Sequence, residues 1–197
     1  MATYVRQLRS VAFEKLSLYT TCSESLIIRA FPVFPTECIR MIRWTWHEFS
    51  SLHPREMYTF LRLRQEVFIV EQGCPYLDAD GRDEHALHLT GHNEAGMLVA
   101  YLRIVQPGFR FAEPSIGRVV TAQSVRGSGV GKLLMEEGLR KAAIVYPGQA
   151  NRISAQQYLE RFYAGFGYVR AGDAYDEDGV LHVEMVRFPG AMTPNAS

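Results

Sequence analysis

Large apolar and polar residues alternate through Ile42-Arg43-Trp44-Thr45-Trp46-His47, the two-residue period of a half-buried strand. Pro54 then stands where the first turn of a helix tolerates a missing N–H. Met57, Phe60, Leu61 and Val67 follow near helical spacing, which predicts one or two helices over residues 54–70. Gly73–Glu84, rich in Gly, Pro and Asp, reads as a loop. Strands are expected over His85–Thr90 and Met97–Val105, joined through Gly91–Gly96, and over Ile116–Thr121 after a Pro107–Pro114 turn region. Residues 129–146 carry Val130, Leu133 and Leu134, then small Gly138 and Ala142 on the continuing face, giving a helix able to lie close on a sheet. A short strand at Ile153–Ala155 precedes a helix over 156–166, with Leu159, Phe162 and Phe166 on one stripe and Gly165 and Gly167 ending it. Tyr168–Arg170 and Val180–Arg187 are expected to form a last hairpin with Asp178-Gly179 in its turn. A meander followed by strands alternating with helices makes a single mixed α/β (α+β) domain, and no internal repeat is visible.

The first forty residues do not share this patterning. Prolines and short polar runs break their apolar stretches, and no secretory core or cleavage site is found. Glu14, Glu24 and Glu37 interrupt the arginines, against the acid-poor composition of a transit peptide. Residues 1–40 are therefore expected to be a poorly ordered extension, a docking arm or upstream sequence ahead of a natural start at Met41. The domain proper is placed at 41–188, with a flexible tail at 189–197. Composition changes the picture little. The 197 residues hold 21 Lys+Arg against 21 Asp+Glu, so no global field attracts nucleic acid or an anionic membrane. No run approaches the roughly 18 apolar residues of a membrane span. Cys22, Cys38 and Cys74 are odd in number and irregularly spaced, which favours a reduced, cytoplasmic protein over a disulfide framework.

The sharpest chemical signal is Arg126-Gly127-Ser128-Gly129-Val130-Gly131-Lys132, which follows a strand and opens a helix. Glycines let several amides converge without Cβ obstruction, and the helix N-terminus adds favourable partial charge, so the turn suits a phosphate or diphosphate. It is not a P-loop, which needs Gly at 126 and Ser or Thr at 133, where Arg126 and Leu133 stand. Nor is it a dinucleotide fingerprint, since Lys132 and Leu134 occupy the places of the last small residue.

Arg126-x-x-Gly129-x-Gly131 resembles the acetyl-coenzyme A motif (Arg/Gln-x-x-Gly-x-Gly/Ala) of the GNAT acetyltransferases. Arg161-Phe162-Tyr163-Ala164-Gly165-Phe166-Gly167-Tyr168 falls where that family carries its next helix, and Val67–Gly81 resembles the ElaA-like subfamily more narrowly. The likeness spans about residues 42–188. It implies a central, mostly antiparallel twisted sheet flanked by helices, with acetyl-CoA as co-substrate and no metal. By the same resemblance, Arg126, Gly127, Ser128, Gly129, Val130, Gly131 and Lys132 would hold the diphosphate. Val119 and Val120 would offer backbone amides to the pantetheine arm and the oxyanion, and Gln156 joins this cofactor-binding set.

Acyl transfer to an amine needs a neutral nucleophile, oxyanion donors and a proton for the departing thiolate. By the resemblance Tyr163 is the expected acid, where the residue pattern alone reads it as a core aromatic with a satisfied hydroxyl. The base is less defined, because the strand before the glycine turn contains no acid. His88, on an alternating strand, is the first candidate, and Glu71 the second. Arg103 shares a strand face with Val99, Tyr101 and Val105 and should be paired, with Asp80 or Glu71 expected. Asp78, Asp80, Asp83 and Glu84 lack EF-hand spacing. They are read as a solvated loop, or, with Asp173–Asp178, as a negative surround for a cationic acceptor. Asp78, Asp80 and Arg103 are thus the expected acceptor-site residues. Cys74 lacks a visible base for a ping-pong route. Trp44 and Trp46 are expected to pack across strands rather than stack on nucleic acid.

The reading is an N-acetyltransferase acting on a primary amine, with no nucleic-acid or membrane partner and a homodimer left open. Two rivals stand beside it. Leu63-Arg64-x-x-Val67-Phe68, Glu71, the Asp-rich loop and His88 also resemble acyl-homoserine-lactone synthases, which would imply longer acyl chains and S-adenosylmethionine as acceptor. The other rival is a non-catalytic acyl-CoA sensor.

Overall fold

The computed structural model describes residues 42–191. The expected 1–40 extension, with Cys22 and Cys38, lies outside the described residues, as does most of the expected tail. The chain starts as a four-stranded antiparallel meander: β1 (Arg43–Glu48), β2 (Ala86–His92), β3 (Leu98–Val105) and β4 (Ser115–Thr121), in that spatial order. β1 pairs Trp44 with Gly91 and Trp46 with Leu89 across the strands. The pairing of a large ring with a glycine is steric, since a Cβ at Gly91 would collide with the Trp44 ring.

A second antiparallel sheet is made of β5 (Asn151–Gln156), β8 (Val180–Arg187) and β6 (Val169–Arg170), in that order, with β7 (Tyr175–Glu177) also pairing to β8. Here the last hairpin differs from expectation. Asp178-Gly179 joins β7, an unforeseen short strand, to β8, while β6 meets β8 further along, with Val169 opposite Val186. Asp178 at φ +55° and Gly179 at φ +81° supply the two left-handed residues such a two-residue turn requires.

Two helices cover opposite faces of the first sheet, and the alternation along β3 assigns them. Ala100, Leu102 and Ile104 join one core with Val130, Leu134, Met135 and Ala142 of α2 (Val130–Val145). Tyr101 joins a second core with Phe60, Leu63 and Val67 beneath α1 (Pro54–Arg64). A Cβ at Gly138 would sit 2.8 Å from Leu102 Cδ2, so the close seat expected for α2 exists. α1 opens on a capping box between His53 and Glu56, with Pro54 inside the first turn. It continues into a π-helical segment, Gln65–Glu71, rather than ending cleanly. The helix expected over 156–166 is shorter, a 3₁₀ turn at Gln157–Leu159 followed by α3 (Glu160–Ala164). Its inward residues are Tyr163 and Phe166, while Phe162 is turned partly outward.

The two sheets meet without a shared ladder. β4 is the last strand of one and β5 the first of the other. Near their starts the Arg152 amide donates to the Pro114 carbonyl (3.2 Å), and beyond that point the strands part.

Candidate active site

Where β4 and β5 diverge, a cleft of about 240 Å³ opens. Gly117, Arg118 and Val119 line it from β4, Ser154 and Gln156 from β5, and Tyr163 from α3. The divergence has a local cause in β4. Between the Tyr101–Val120 and Arg103–Gly117 pairs the register slips, and Arg118 is held at φ +52°. A non-glycine residue in the left-handed region marks a bulge whose strain, of order 1–3 kcal/mol, must be held by its surroundings. Those surroundings are visible. Arg118 Nε donates to Asp78 Oδ1 (2.8 Å) and Nη2 to Asp80 Oδ2 (3.2 Å), with the guanidinium 5.4 Å from the Tyr76 ring centre.

The glycine turn stands just beyond β4. Gly127 (φ +73°) and Gly129 (φ +90°) take left-handed conformations. Gly131 is helical, and a Cβ there would find only Thr121 Cγ2, at 4.0 Å. Packing within the free chain therefore does not demand a glycine at 131, whereas close approach of a ligand would. No side chain caps α2 and no acid occupies its first turn. The amides of Gly129, Val130 and Gly131 precede the first bonds of the helix, in which Lys132 and Leu133 donate to the Gly129 carbonyl. This is the donor set a diphosphate needs. Ser128 Oγ is already used as a donor to the Val125 carbonyl, and Lys132 is exposed beside Glu136 (3.9 Å). Arg126 donates to both Glu71 oxygens and to the Thr121 carbonyl.

Other expected residues fall variously. Tyr163 lines the cleft at 8% exposure, and burial raises its phenol above the usual range, so it is protonated and able to donate at neutral pH. Val119 faces the cleft, whereas the Val120 side chain belongs to the core under α1. Gln156 reaches it with its amide tied to Gln72 Oε1 (3.2 Å) and to the Tyr158 hydroxyl.

His88 is not at the cleft. It is fully buried, with Nδ1 at 2.8 Å from the Tyr101 hydroxyl and Nε2 at 2.9 Å from the Asp83 carbonyl, and it stacks on Phe60. Both nitrogens are used, and desolvation lowers its pKa to about 4. The geometry gives it a structural place in the core instead of the expected proton traffic. Glu71 is held by Arg126, whose hydrogen bonds lower its carboxyl below the ordinary range and make it a weaker base still.

The Asp-rich loop also departs from expectation. Asp78 is buried against Arg64 Nε (2.8 Å) and Arg118, and Asp83 sits between Arg64 (2.9 Å) and Arg103 (2.7 Å). Asp80 takes a bidentate pair from Arg103 (2.8 and 2.6 Å) and further bonds from Arg82 and Arg118. Desolvation opposes ionisation of Asp80, yet these arginines overcome it and hold the carboxyl well below the usual carboxylate range. Four arginines meet three aspartates, so the loop adds no negative surround to the cleft. Arg103 does find Asp80, one of its expected partners, and not Glu71. Arg118 was not foreseen. Its one available signal was a charge on a strand otherwise expected to lie against apolar layers. Cys74 spends its thiol as a donor to the Asp178 carbonyl (3.1 Å), which ties the loop to the β7–β8 turn.

Comparison with known proteins decides what this frame is. The Acetyltransferase (GNAT) domain family matches residues 76–187. The chain belongs to the GNAT family. It is 37% identical over 153 residues to protein ElaA of Escherichia coli, covering 75% of this chain and 97% of that one. A UPF0039 protein of Synechocystis is 45% identical over 145 residues, covering 74% of this chain and 94% of its own length. Among solved structures, E. coli ElaA superposes with a TM-score of 0.70 over 75% of this chain and 99% of that one, at 37% identity. An acyl-CoA N-acyltransferase from Pseudomonas aeruginosa gives 0.71 over 74% and 99%, at 38% identity. This GNAT chain is an acyltransferase, and its family uses acyl-CoA. Among the described residues, no helix is long and apolar enough to cross a membrane.

Proposed function

We propose that this GNAT protein transfers an acetyl group from acetyl-CoA to a primary amine of a small-molecule acceptor by direct attack. The observation that carries the reading is the cleft between two unpaired strand edges. It has an uncapped glycine turn beyond the end of β4 and a protonated tyrosine on its wall. The amides of residues 129–131, with Arg126, suit the diphosphate. The free edge of β4 suits an extended pantetheine arm, which would bond to it as an added strand does. Strand amides near Val119 would then receive the oxyanion, whose stabilisation is usually the largest electrostatic contribution to acyl transfer. Tyr163 would protonate the leaving sulfur. Metal chemistry has no part in the scheme.

Thiol release from acetyl-CoA in the presence of tryptamine, spermidine, lysine and glucosamine tests this. At least one amine should yield stoichiometric free CoA and an acetamide product. CoA binding by calorimetry without thiol release would leave a sensor. Turnover confined to longer acyl donors would replace the acetyl assignment.

A further inference from the structure

With His88 in the core and Glu71 clamped, the other titratable groups of the cleft are the candidates for taking the proton that the amine loses, directly or through water. Its charged lining narrows the choice. Asp80 is spent on three arginines. Glu177 accepts from Ser154 Oγ (2.8 Å) and Arg110 Nη2 (3.1 Å) and, despite desolvation, is held below the ordinary carboxylate range. Asp178 is an exposed carboxylate at the rim of the turn. The remaining candidate is His182, on β8 opposite Gln156 of β5 and Tyr175 of β7.

His182 Nδ1 lies 2.8 Å from the Val180 carbonyl. A carbonyl only accepts, so Nδ1 carries the proton and Nε2 is left with its lone pair. The ring lines the cleft with its side chain 14% exposed. Glu177 Oε2 stands 3.9 Å from the same Nδ1, placed to favour the imidazolium once a proton arrives. The Tyr175 ring lies 6.3 Å away, and Arg110 reaches the site only through Glu177. A basic nitrogen is thus oriented by a backbone carbonyl and backed by a carboxylate, on the wall of the cleft that holds Tyr163.

We infer that His182 is the general base of this enzyme, an assignment that rests on the acyl-transfer reading above. The neutral amine attacks the thioester carbonyl carbon, and Nε2 takes one proton from the nitrogen as the C–N bond forms. The C–S bond breaks with its electron pair going to sulfur, which takes the phenolic proton of Tyr163. The imidazolium then returns its proton to the tyrosinate through water, so amine and thioester become amide and thiol with nothing left over.

The test compares wild type with His182→Asn, whose amide can still donate to the Val180 carbonyl, using acetyl-CoA and whichever of the four amines turns over. kcat should fall about hundredfold or more, the acidic limb of the pH profile should vanish, and calorimetric CoA affinity should stay within a factor of two. Retained kcat with an unchanged profile overturns the assignment while leaving the acyl-transfer reading intact. Wild-type inactivity on every amine fails that reading and takes this role with it. A second measurement needs only wild type, in case the variant folds poorly. Diethylpyrocarbonate should carbethoxylate His182, read by peptide mass, and desulfo-CoA should protect it. An unmodified His182 in protein that is active on an amine overturns the proposal.

Discussion

The two sheets that face each other across the cleft are built on opposite electrostatic plans. The wall from β1–β4 and the loop behind it is saturated. Arg64, Arg82, Arg103 and Arg118 are fixed by Asp78, Asp80 and Asp83, and Arg64 and Arg103 are almost wholly buried. The wall from β5–β8 and α3 holds one carboxylate, Glu177, already paired with Arg110, and otherwise uncharged groups: Tyr163, His182, Ser154 and Gln156. Charges buried in mutual pairs cannot respond to a reacting molecule, because each already has its counter-ion. Uncharged groups with one free lone pair or proton can. The first wall therefore holds the bulged β4 in shape, and the second would carry the proton transfers proposed above.

The sharpest way to break this contrast is to remove one arginine from the saturated wall. Arg64→Met leaves Asp78 and Asp83 short of a buried partner and should cost about 3–5 kcal/mol in urea unfolding. Ser154→Ala on the other wall, which removes a part-buried bond to the Glu177 carboxylate, should cost about 1–2 kcal/mol. If the two losses are equal, the division of labour is wrong.

The saturated wall should also govern acid sensitivity. The unfolded His88 imidazole takes a proton near pH 6.5, whereas the folded one takes it only near 4. Between these values the unfolded chain binds more protons, so stability falls as pH drops from 6.5 to 4, by about 3 kcal/mol. Below about pH 4 the depressed Asp80 and Asp83 carboxyls add a further loss. Unfolding free energy measured against pH should lose most of the 6.5-to-4 slope in His88→Gln, the remainder coming from His92, whose pKa desolvation also lowers, and should keep the lower slope.

Tyr163→Phe sharpens the comparison from the reactive side. kcat should fall about hundredfold, with the melting temperature shifted by only a few degrees. The smallest effect is expected at the rim, where Glu71 and Arg126 are both substantially exposed. Glu71→Gln should change stability by less than about 1 kcal/mol. By releasing Arg126 toward phosphate it should tighten CoA binding severalfold in calorimetry.

Much of the frame could be read along the chain, because it depends on neighbours in sequence. Strand alternation placed β1 to β5 and β8 to within a few residues. Glycines 127, 129 and 131 could be read as a turn into a helix, and Gly138 as a close seat against a strand. Tyr163 was found through its surrounding motif, although the expected stripe of Leu159, Phe162 and Phe166 named Phe162 as inward, where Tyr163 is the buried residue. The β7 strand was missed because three residues, Tyr175–Glu177, are too few to show a period.

What failed was the choice of most partners, the Arg103–Asp80 pair excepted. His88 and the loop aspartates have the composition of a reactive site, yet fourteen residues separate Arg64 from Asp78 and forty separate Asp78 from Arg118. No local pattern states which charges will cancel. Arg118 offers the clearest case, since a left-handed arginine in mid-strand is stable only against an anchoring network assembled from distant segments. By itself the sequence determined most of the strand and helix order and the glycine turn into α2, because each is a matter of short-range periodicity and backbone freedom. Tertiary structure alone decided that the aspartates would be neutralised, that His88 would be sealed in the core and that His182 would face the cleft. Burial and ion pairing depend on which surfaces meet, and that is settled only when the two sheets close on each other.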